Sequence, residues 1–207
     1  MVRITNLGGI VIHIVKKTGY VILAKKSAAP SKIAHESHNW KIWRATVTIT
    51  TCYYCASMNG RILAADAPEL EKIPVHPNCK CFAEWVAAIF AGTATSQGAN
   101  GVDLYVAQHG ELPAYYIKSE DALKHNWVKS EGNLADVLPG RIIGGDIFEN
   151  RKHKLPEAPG RIWFEADFDY AGGYRNSFRL LYSNDGLIFV TYDHYAKFYE
   201  IDTEGVL

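Results

Sequence analysis

A charge excess of either sign is missing from this chain: 22 lysines and arginines balance 22 aspartates and glutamates over 207 residues. No general basic surface is therefore offered to a polyanion, and any such site has to be a local patch. Long apolar runs are missing as well. Lys16, Lys17, Lys25 and Lys26 break the N-terminal apolar stretch, leaving nothing near the roughly 20 residues that a bilayer span requires. Residues 1–24 combine an arginine with an apolar segment but offer no convincing small-residue cleavage site, so a secretory signal is not expected. Internal repeats are absent too. With apolar residues at 48% and charged residues at 21%, the chain has the means to bury a core, which excludes disorder.

Cysteine is confined to one half. Cys52, Cys55, Cys79 and Cys81 all precede residue 90, and none follows. Residues 90–101 read FAGTATSQGANG, a small, flexible and uncharged run between segments richer in aromatics and charge. A chain of this length holds one large domain or two small ones. The run points to two: a cysteine-containing unit over 1–90, a linker over 91–101 and a second unit over 102–207. In the second unit, residues 102–108, 119–124 and 133–137 read as short helices, the last two with Ser119 and Asn133 as expected N-caps. From Arg141 the pattern turns to strands, RIIGGDIF, GRIWFEADFDY, RNSFRLLYS and LIFVTYDHY, with Ser183-Asn184-Asp185-Gly186 as a hairpin turn. Short helices packed on an antiparallel sheet make an α+β fold, preceded by a small cysteine-rich domain.

Within residues 162–168 one parity is apolar (Ile162, Phe164, Ala166, Phe168), while the other carries Trp163, Glu165 and Asp167. That alternation predicts a sheet with one buried face and two carboxylates on the open one. On the following strand Arg175, Ser177 and Arg179 share a parity opposite Phe178, Leu180 and Tyr182, so guanidinium groups can stand beside those carboxylates. The plain alternative is a salt-bridged solvent face.

A wider pattern favours a site. The segments LPAYYIKSEDALKHNWV (112–128), KSEGNLADVLPGRIIGGDIFENR (129–151), GRIWFEADFDY (160–170), GYRNSFRLLYSNDGLI (173–188) and YDHY (192–195), in this order and spacing, resemble the barnase family of guanyl-preferring bacterial ribonucleases over 103–201. The resemblance implies the microbial ribonuclease fold and metal-independent cleavage of single-stranded RNA to a 2′,3′-cyclic phosphate. It implies Glu165 as general base, His194 as general acid, and Arg175, Arg179 and Lys118 as phosphate-binding cations, with no cofactor for catalysis. Asp167 is expected to pair with Arg175 and orient it. Phe148, Asn150, Arg151 and Tyr195 take the family's base-binding positions. One position departs: where the family has a glutamate for the guanine edge, this chain has Lys152, which cannot accept from the guanine N1 and N2 donors. If neither Glu149 nor main-chain contacts compensate, about 1–3 kcal/mol of discrimination is lost.

In the first half, Cys52-Tyr-Tyr-Cys55 and His76-Pro-Asn-Cys79-Lys-Cys81 gather five ligand-type side chains in two clusters. Tetrahedral zinc is one reading, and a pair of disulfides or free structural thiols are the others. TCYYCASMNGRIL (51–63) and IPVHPNCKC (73–81) also resemble a motif of phage minor head proteins of the Mu F-like kind, which implies structural attachment to a particle or carrier; residues 1–40 match nothing. The barnase resemblance implies a toxin, secreted or delivered into another cell's cytoplasm, and a barstar-like acidic inhibitor as partner. The competing readings are a particle protein with an inert nuclease fold, and general RNA binding, for which no basic stripe is present.

Overall fold

A computed structural model describes residues 34–206 together with the backbone of Asn6–Leu7 and Ile10–Val11. The chain forms two units, Met1–Ser31 and Lys32–Leu207. In the first, β1 (Asn6–Leu7) and β2 (Ile10–Val11) pair antiparallel. The expectation about a signal in residues 1–24 otherwise lies outside the described residues.

The second unit is α+β. Its elements are β3 (His35–Arg44), α1 (Tyr53–Met58), β4 (Ile62–Ala64), α2 (Pro68–Glu71), β5 (Phe82–Phe90), α3 (Val102–His109), β6 (Tyr116–Ile117), α4 (Ser119–Lys124), α5 (Leu134–Val137), β7 (Ile142–Phe148), β8 (Trp163–Asp167), β9 (Arg179–Ser183), β10 (Ile188–Thr191) and β11 (Tyr199–Asp202). Among the described residues, nine strands make one sheet in the order β4-β3-β5-β11-β10-β9-β8-β7-β6. Neighbours run antiparallel except β5 with β11 and β6 with β7, which are parallel. The β9–β10 hairpin closes at the expected turn, where the Ser183 amide donates to the Leu187 carbonyl at 2.9 Å.

Expected helices form within a residue or so of their expected limits, but their caps differ. Lys118, not Ser119, occupies the N-cap position of α4; Ser119 sits one residue inside, its Oγ donating to Asp146 at 2.5 Å. Asn133 does precede α5, yet its amide ties Val128 to Asn126 instead of capping the helix.

The stretch expected to be a linker, 91–101, is built into the unit instead. Asp103, fully buried at the start of α3, accepts from the amides of Gly92 and Ala94 at 2.8 and 2.9 Å and lies 3.3 Å from the Thr95 hydroxyl. The Ser96 hydroxyl donates to Asp169 at 2.7 Å, and the Tyr192 hydroxyl to the Ala94 carbonyl at 2.7 Å. Small uncharged residues suit a tight turn folded around a carboxylate as well as they suit a tether. Composition alone does not separate the two.

The sheet also departs from the expectation of one buried face. Leu180, Tyr182, Ile188 and Val190 pack with Val102, Val106 and Phe168 on the α3 side. The opposite parity, Trp163, Leu181 and Phe189, is covered by Ile62, Val86, Leu155 and Phe198. Every residue of β9 and β10 is consequently buried. The cover comes in part from the cysteine half, far away in sequence, which no local periodicity could reveal.

Replacing Asp103 by alanine removes the acceptor of two main-chain amides. Asp103→Ala should lower unfolding free energy by about 3 kcal/mol, read from the midpoint of urea denaturation, whereas a free linker would tolerate the change.

Candidate active site

The described residues place a cleft of about 560 Å³ on the sheet face that carries Glu165, lined by Phe148, Glu149, Asn150, Arg151, Lys152, Lys154, Glu165, His194 and Tyr195 among others. The register explains how Glu165 reaches it. Asp167 stands opposite Arg179 and Glu165 opposite Leu181 on β9, so both carboxylates share one face, as the alternation predicts. Beyond the apolar cover that face opens.

Asp167 is 1% exposed. It takes two bonds from Arg175, Nε to Oδ2 at 2.6 Å and Nη2 to Oδ1 at 2.7 Å. The Arg179 Nε lies 3.0 Å from Oδ1; its direction does not make a hydrogen bond, so this contact is an ion contact only. Arg179 Nη1 donates to the carbonyls of Asn176 and Phe178 at 2.8 and 2.7 Å. Burial works against the Arg175 charge, but the bonds and charge of Asp167 outweigh it, with Glu165 and Tyr195 adding to the same side, and hold its pKa above the ordinary arginine value. Two cations are thereby fixed beside Glu165 around one carboxylate. The expected pairing of Asp167 with Arg175 is present, although Arg175 lies in the loop before β9 and not within the strand.

Glu165 is half-buried and accepts from the Tyr195 hydroxyl at 2.6 Å. Burial and then this bond push the phenol well above its usual range, which keeps Tyr195 a donor. Phe148 stacks on Tyr195 with centroids 5.2 Å apart. His194 is exposed in the same cleft, and both it and Tyr195 have left-handed backbone, φ 55 and 68. Side chains rarely adopt that region, and two in succession need external support. The Thr191 hydroxyl accepts from the Tyr195 amide at 3.0 Å, Asp193 accepts from Ala196 and Lys197 at 3.0 and 2.9 Å, and the His194 amide donates to the Ser177 carbonyl at 3.1 Å.

Lys118 approaches from the neighbouring element. A bulge in β7 between Gly144 and Asp146 puts Gly145 at φ +92, where a Cβ would stand 3.6 Å from Lys118 Cγ. Its φ would strain any other side chain, so glycine suits the bulge against which the Lys118 stem packs, and Asp146, next in the strand, is the register partner of Glu165.

The residues expected at base-binding positions divide. Phe148, Arg151 and Tyr195 line the cleft, with Arg151 exposed and ion-paired to Glu149. Asn150 also reaches the lining, but its side-chain amide is committed to the chain itself: Nδ2 donates to the Leu155 carbonyl at 3.0 Å, and Oδ1 accepts from the Leu155 amide at 3.1 Å. These two bonds make its buried side chain a brace for the loop. Lys154 was not anticipated. Its Nζ donates to the Tyr195 carbonyl at 2.9 Å, bridging the loop to the histidine turn, and burial, then Lys152, lower its pKa. No periodic signal marks Lys154. The turn at Asp193 did carry one, since aspartate commonly caps the amides that follow it.

The cysteines form a second cluster. Cys52 caps α1, accepting from the Cys55 amide at 3.3 Å, and Asn78 at φ 63 turns the chain so that His76, Cys79 and Cys81 face α1. Cys55 Sγ lies 3.4 Å from His76 Nε2 and 3.8 Å from Cys79 Sγ. These separations match the edges of a tetrahedron with zinc–ligand bonds near 2.0–2.3 Å, about 3.6 and 3.8 Å, and all four thiols are free. Donor atoms of Cys52, Cys55 and His76, and again of Cys55, Cys79 and Cys81, lie within 4.8 Å of one another. His76 Nδ1 is 2.9 Å from the Pro77 carbonyl. A carbonyl only accepts, so Nδ1 carries a proton, and Nε2 is the nitrogen that faces the cluster, the orientation a metal ligand needs.

The sequence profile of the family described as Ribonuclease matches residues 100–202. A ribonuclease of Heyndrickxia coagulans is 51% identical over 102 residues, covering 49% of this chain and 94% of the relative. Ribonucleases of Bacillus intermedius and Bacillus pumilus show the same 51% identity over 102 residues, but there the match spans 63% of each relative's length.

Removing the carboxylate at the centre of the arginines should be the most damaging change on this face. Asp167→Ala is expected to cost about 3–5 kcal/mol of stability, because it leaves buried guanidinium charge unpaired. Lys118→Ala, at an exposed position, should stay within about 0.5 kcal/mol. Parallel urea titrations of the two variants test the contrast.

Proposed function

Since this chain belongs to the ribonuclease family, we propose that it is an endoribonuclease cutting single-stranded RNA by general acid–base transesterification. The observation that carries the reading is the meeting of Glu165 and His194 in one cleft, with the Arg175–Asp167–Arg179 group beside Glu165. Glu165 removes the proton of the ribose 2′-hydroxyl, and O2′ bonds to the adjacent phosphorus. The bond from phosphorus to O5′ breaks, and His194 delivers a proton to O5′, leaving a 2′,3′-cyclic phosphate. Arg175, Arg179 and Lys118 are the cations for charge that grows on the phosphoryl oxygens. The Tyr195 hydroxyl holds one oxygen of Glu165 and leaves the other for the incoming proton. DNA, lacking the 2′-hydroxyl, binds uncut.

In this reading the base stacks against Phe148 and Tyr195 and meets the main chain of the 148–152 loop. Glu149 is already paired with Arg151, so it is a poor replacement for the acceptor lost at Lys152, and guanine preference is weak. The Cys55-centred cluster holds a structural zinc ion, outside the cleavage chemistry. Exposed Val47, Ile49 and Tyr53 give the cysteine half an apolar surface for its carrier or phage particle. The protein acts as a toxin, released from one cell to cut RNA in another's cytoplasm, with an acidic barstar-like inhibitor masking the cleft in the producer. The inert-module alternative is disfavoured by the retention of Glu165, His194, Arg175, Arg179 and Lys118 together.

Glu165→Ala and His194→Ala should each lower turnover of a short RNA by about 10²–10⁴-fold, with cyclic-phosphate ends on the parent's products. A parent inactive on every RNA would instead favour the inert module. Lys152→Glu should raise the preference for guanine over adenine by about ten- to hundredfold, measured with paired dinucleotide substrates.

A further inference from the structure

The cysteine half and the base-binding loop share main-chain bonds. Cys55 is buried in α1, next to the turn that leads into β4. At that turn Gly60 donates to the Trp43 carbonyl at 2.8 Å, and Trp43 to the Arg61 carbonyl at 2.9 Å, with Trp43 fully buried. The chain then meets the loop. The Ile62 amide donates to the Lys154 carbonyl at 2.8 Å. Arg61 Nη2 binds Glu157 at 3.1 Å, and Glu157 takes His153 Nδ1 on its other oxygen at 2.6 Å. Ile62, 1% exposed, packs with Leu155, Trp163 and Phe198. Lys154 and Leu155 are in turn the residues that tie this loop to Tyr195 and Asn150.

The part of this network contributed by Trp43, Cys55 and residues 60–62 lies outside the segment that matches the ribonuclease family. The Heyndrickxia coagulans relative, 94% covered by a match of 102 residues, is too short to carry a counterpart of residues 34–90 as well. Here the outer wall of the cleft leans on β4, which pairs with β3, and on the tight turn before it, which follows a short helix bordered by five metal-type side chains. α1 has 6 residues, too few to be stable alone.

We infer that a thiophilic tetrahedral divalent ion of the zinc class, bound around Cys55, fixes the position of the 150–157 wall and so controls how tightly this enzyme holds RNA, without touching the cleavage step. Cys55 is the pivot because both three-donor groups contain it. Losing the ion frees α1 and the turn at residues 59–61, and with them the Ile62–Lys154 bond and the Arg61–Glu157–His153 chain. The Glu165–Tyr195 bond, the Arg175–Asp167–Arg179 group and the bonds of the His194 turn to Thr191, Asp193 and Ser177 do not pass through that segment. The effect therefore falls on binding and spares turnover. The part concerning RNA rests on reading the loop as the base-binding wall; the part concerning structure does not.

The test uses the full chain, metal-loaded and after chelation, with zinc returned to a portion of the stripped sample. The readouts are metal content, cobalt(II) substitution spectra, amide hydrogen exchange at Ile62 and Leu155, and KM and kcat on a short RNA. Expected are about one zinc per chain and the intense thiolate-to-cobalt absorption of a tetrahedral sulfur-rich site. Chelation should speed exchange at both amides at least tenfold and raise KM several-fold with kcat unchanged, and zinc should reverse both changes. Arg61→Ala, which leaves every ligand in place, should keep the zinc and the cobalt spectrum and still raise KM. A chain that takes up no zinc or cobalt overturns the proposal, as does one whose exchange and KM are the same with and without the ion. Cleavage lost together with kcat on chelation overturns it too, since the ion would then be serving the reaction. If instead exchange responds to zinc while no RNA is cut under any condition, the metal-controlled wall stands and the ribonuclease reading is what fails.

Discussion

A single buried carboxylate holds together the sheet face that carries Glu165. Asp167 lies under two guanidinium groups that would repel each other without it, and neither it nor they could be withdrawn from water alone. The contact needs the β8–β9 register in which Asp167 faces Arg179. A slip of one residue would turn Asp167 and Glu165 to the helical side of the sheet and send Phe164 and Ala166 toward the cleft. The ion group is in this sense a register lock. Glu165, two residues away on the same parity, takes its place because Asp167 has taken its own.

Much of this was legible in the sequence. Alternation along residues 162–168 set Glu165 and Asp167 on a common face, and it did so before any resemblance was invoked. His194 was different: nothing in its spacing distinguishes it from a surface histidine, and its position became readable through the joint pattern of segments. What stayed hidden has a common physical origin. Trp163, Leu181 and Phe189 lie on the supposedly open parity but are covered by Ile62 and Val86, which come from another part of the chain. Asn150, a base contact by analogy of position, spends its amide on Leu155. Ser119 looks like a cap and instead serves Asp146. Local signals report which way a side chain points and not which distant group will meet it.

The cysteine half shows the same limit at larger scale. Its ligand-type residues were readable, and their convergence to edges of 3.4 and 3.8 Å is consistent with the spacing. Its strands β3, β4 and β5 were not, because FAEWVAAIF and HESHNWKIWR lack clean alternation, and β5 gains its place through pairing with β11. The expected tether at 91–101 failed for a related reason: the carboxylate that organises it, Asp103, lies just beyond it and was read as part of a helix.

The parallel pairing of β5 with β11 bears on how this chain responds to proteolysis. A nuclease released by cleavage near residue 91 would leave with the outer edge of β11 unpaired, and with Leu181, Phe189 and Phe198 stripped of part of their cover. A bare edge beside an apolar patch is a template for adding a foreign strand. Excision is thus the costly route for this chain. The fold favours keeping residues 34–206 together as one piece, with the strands of the cysteine half covering the face that carries Leu181 and Phe189.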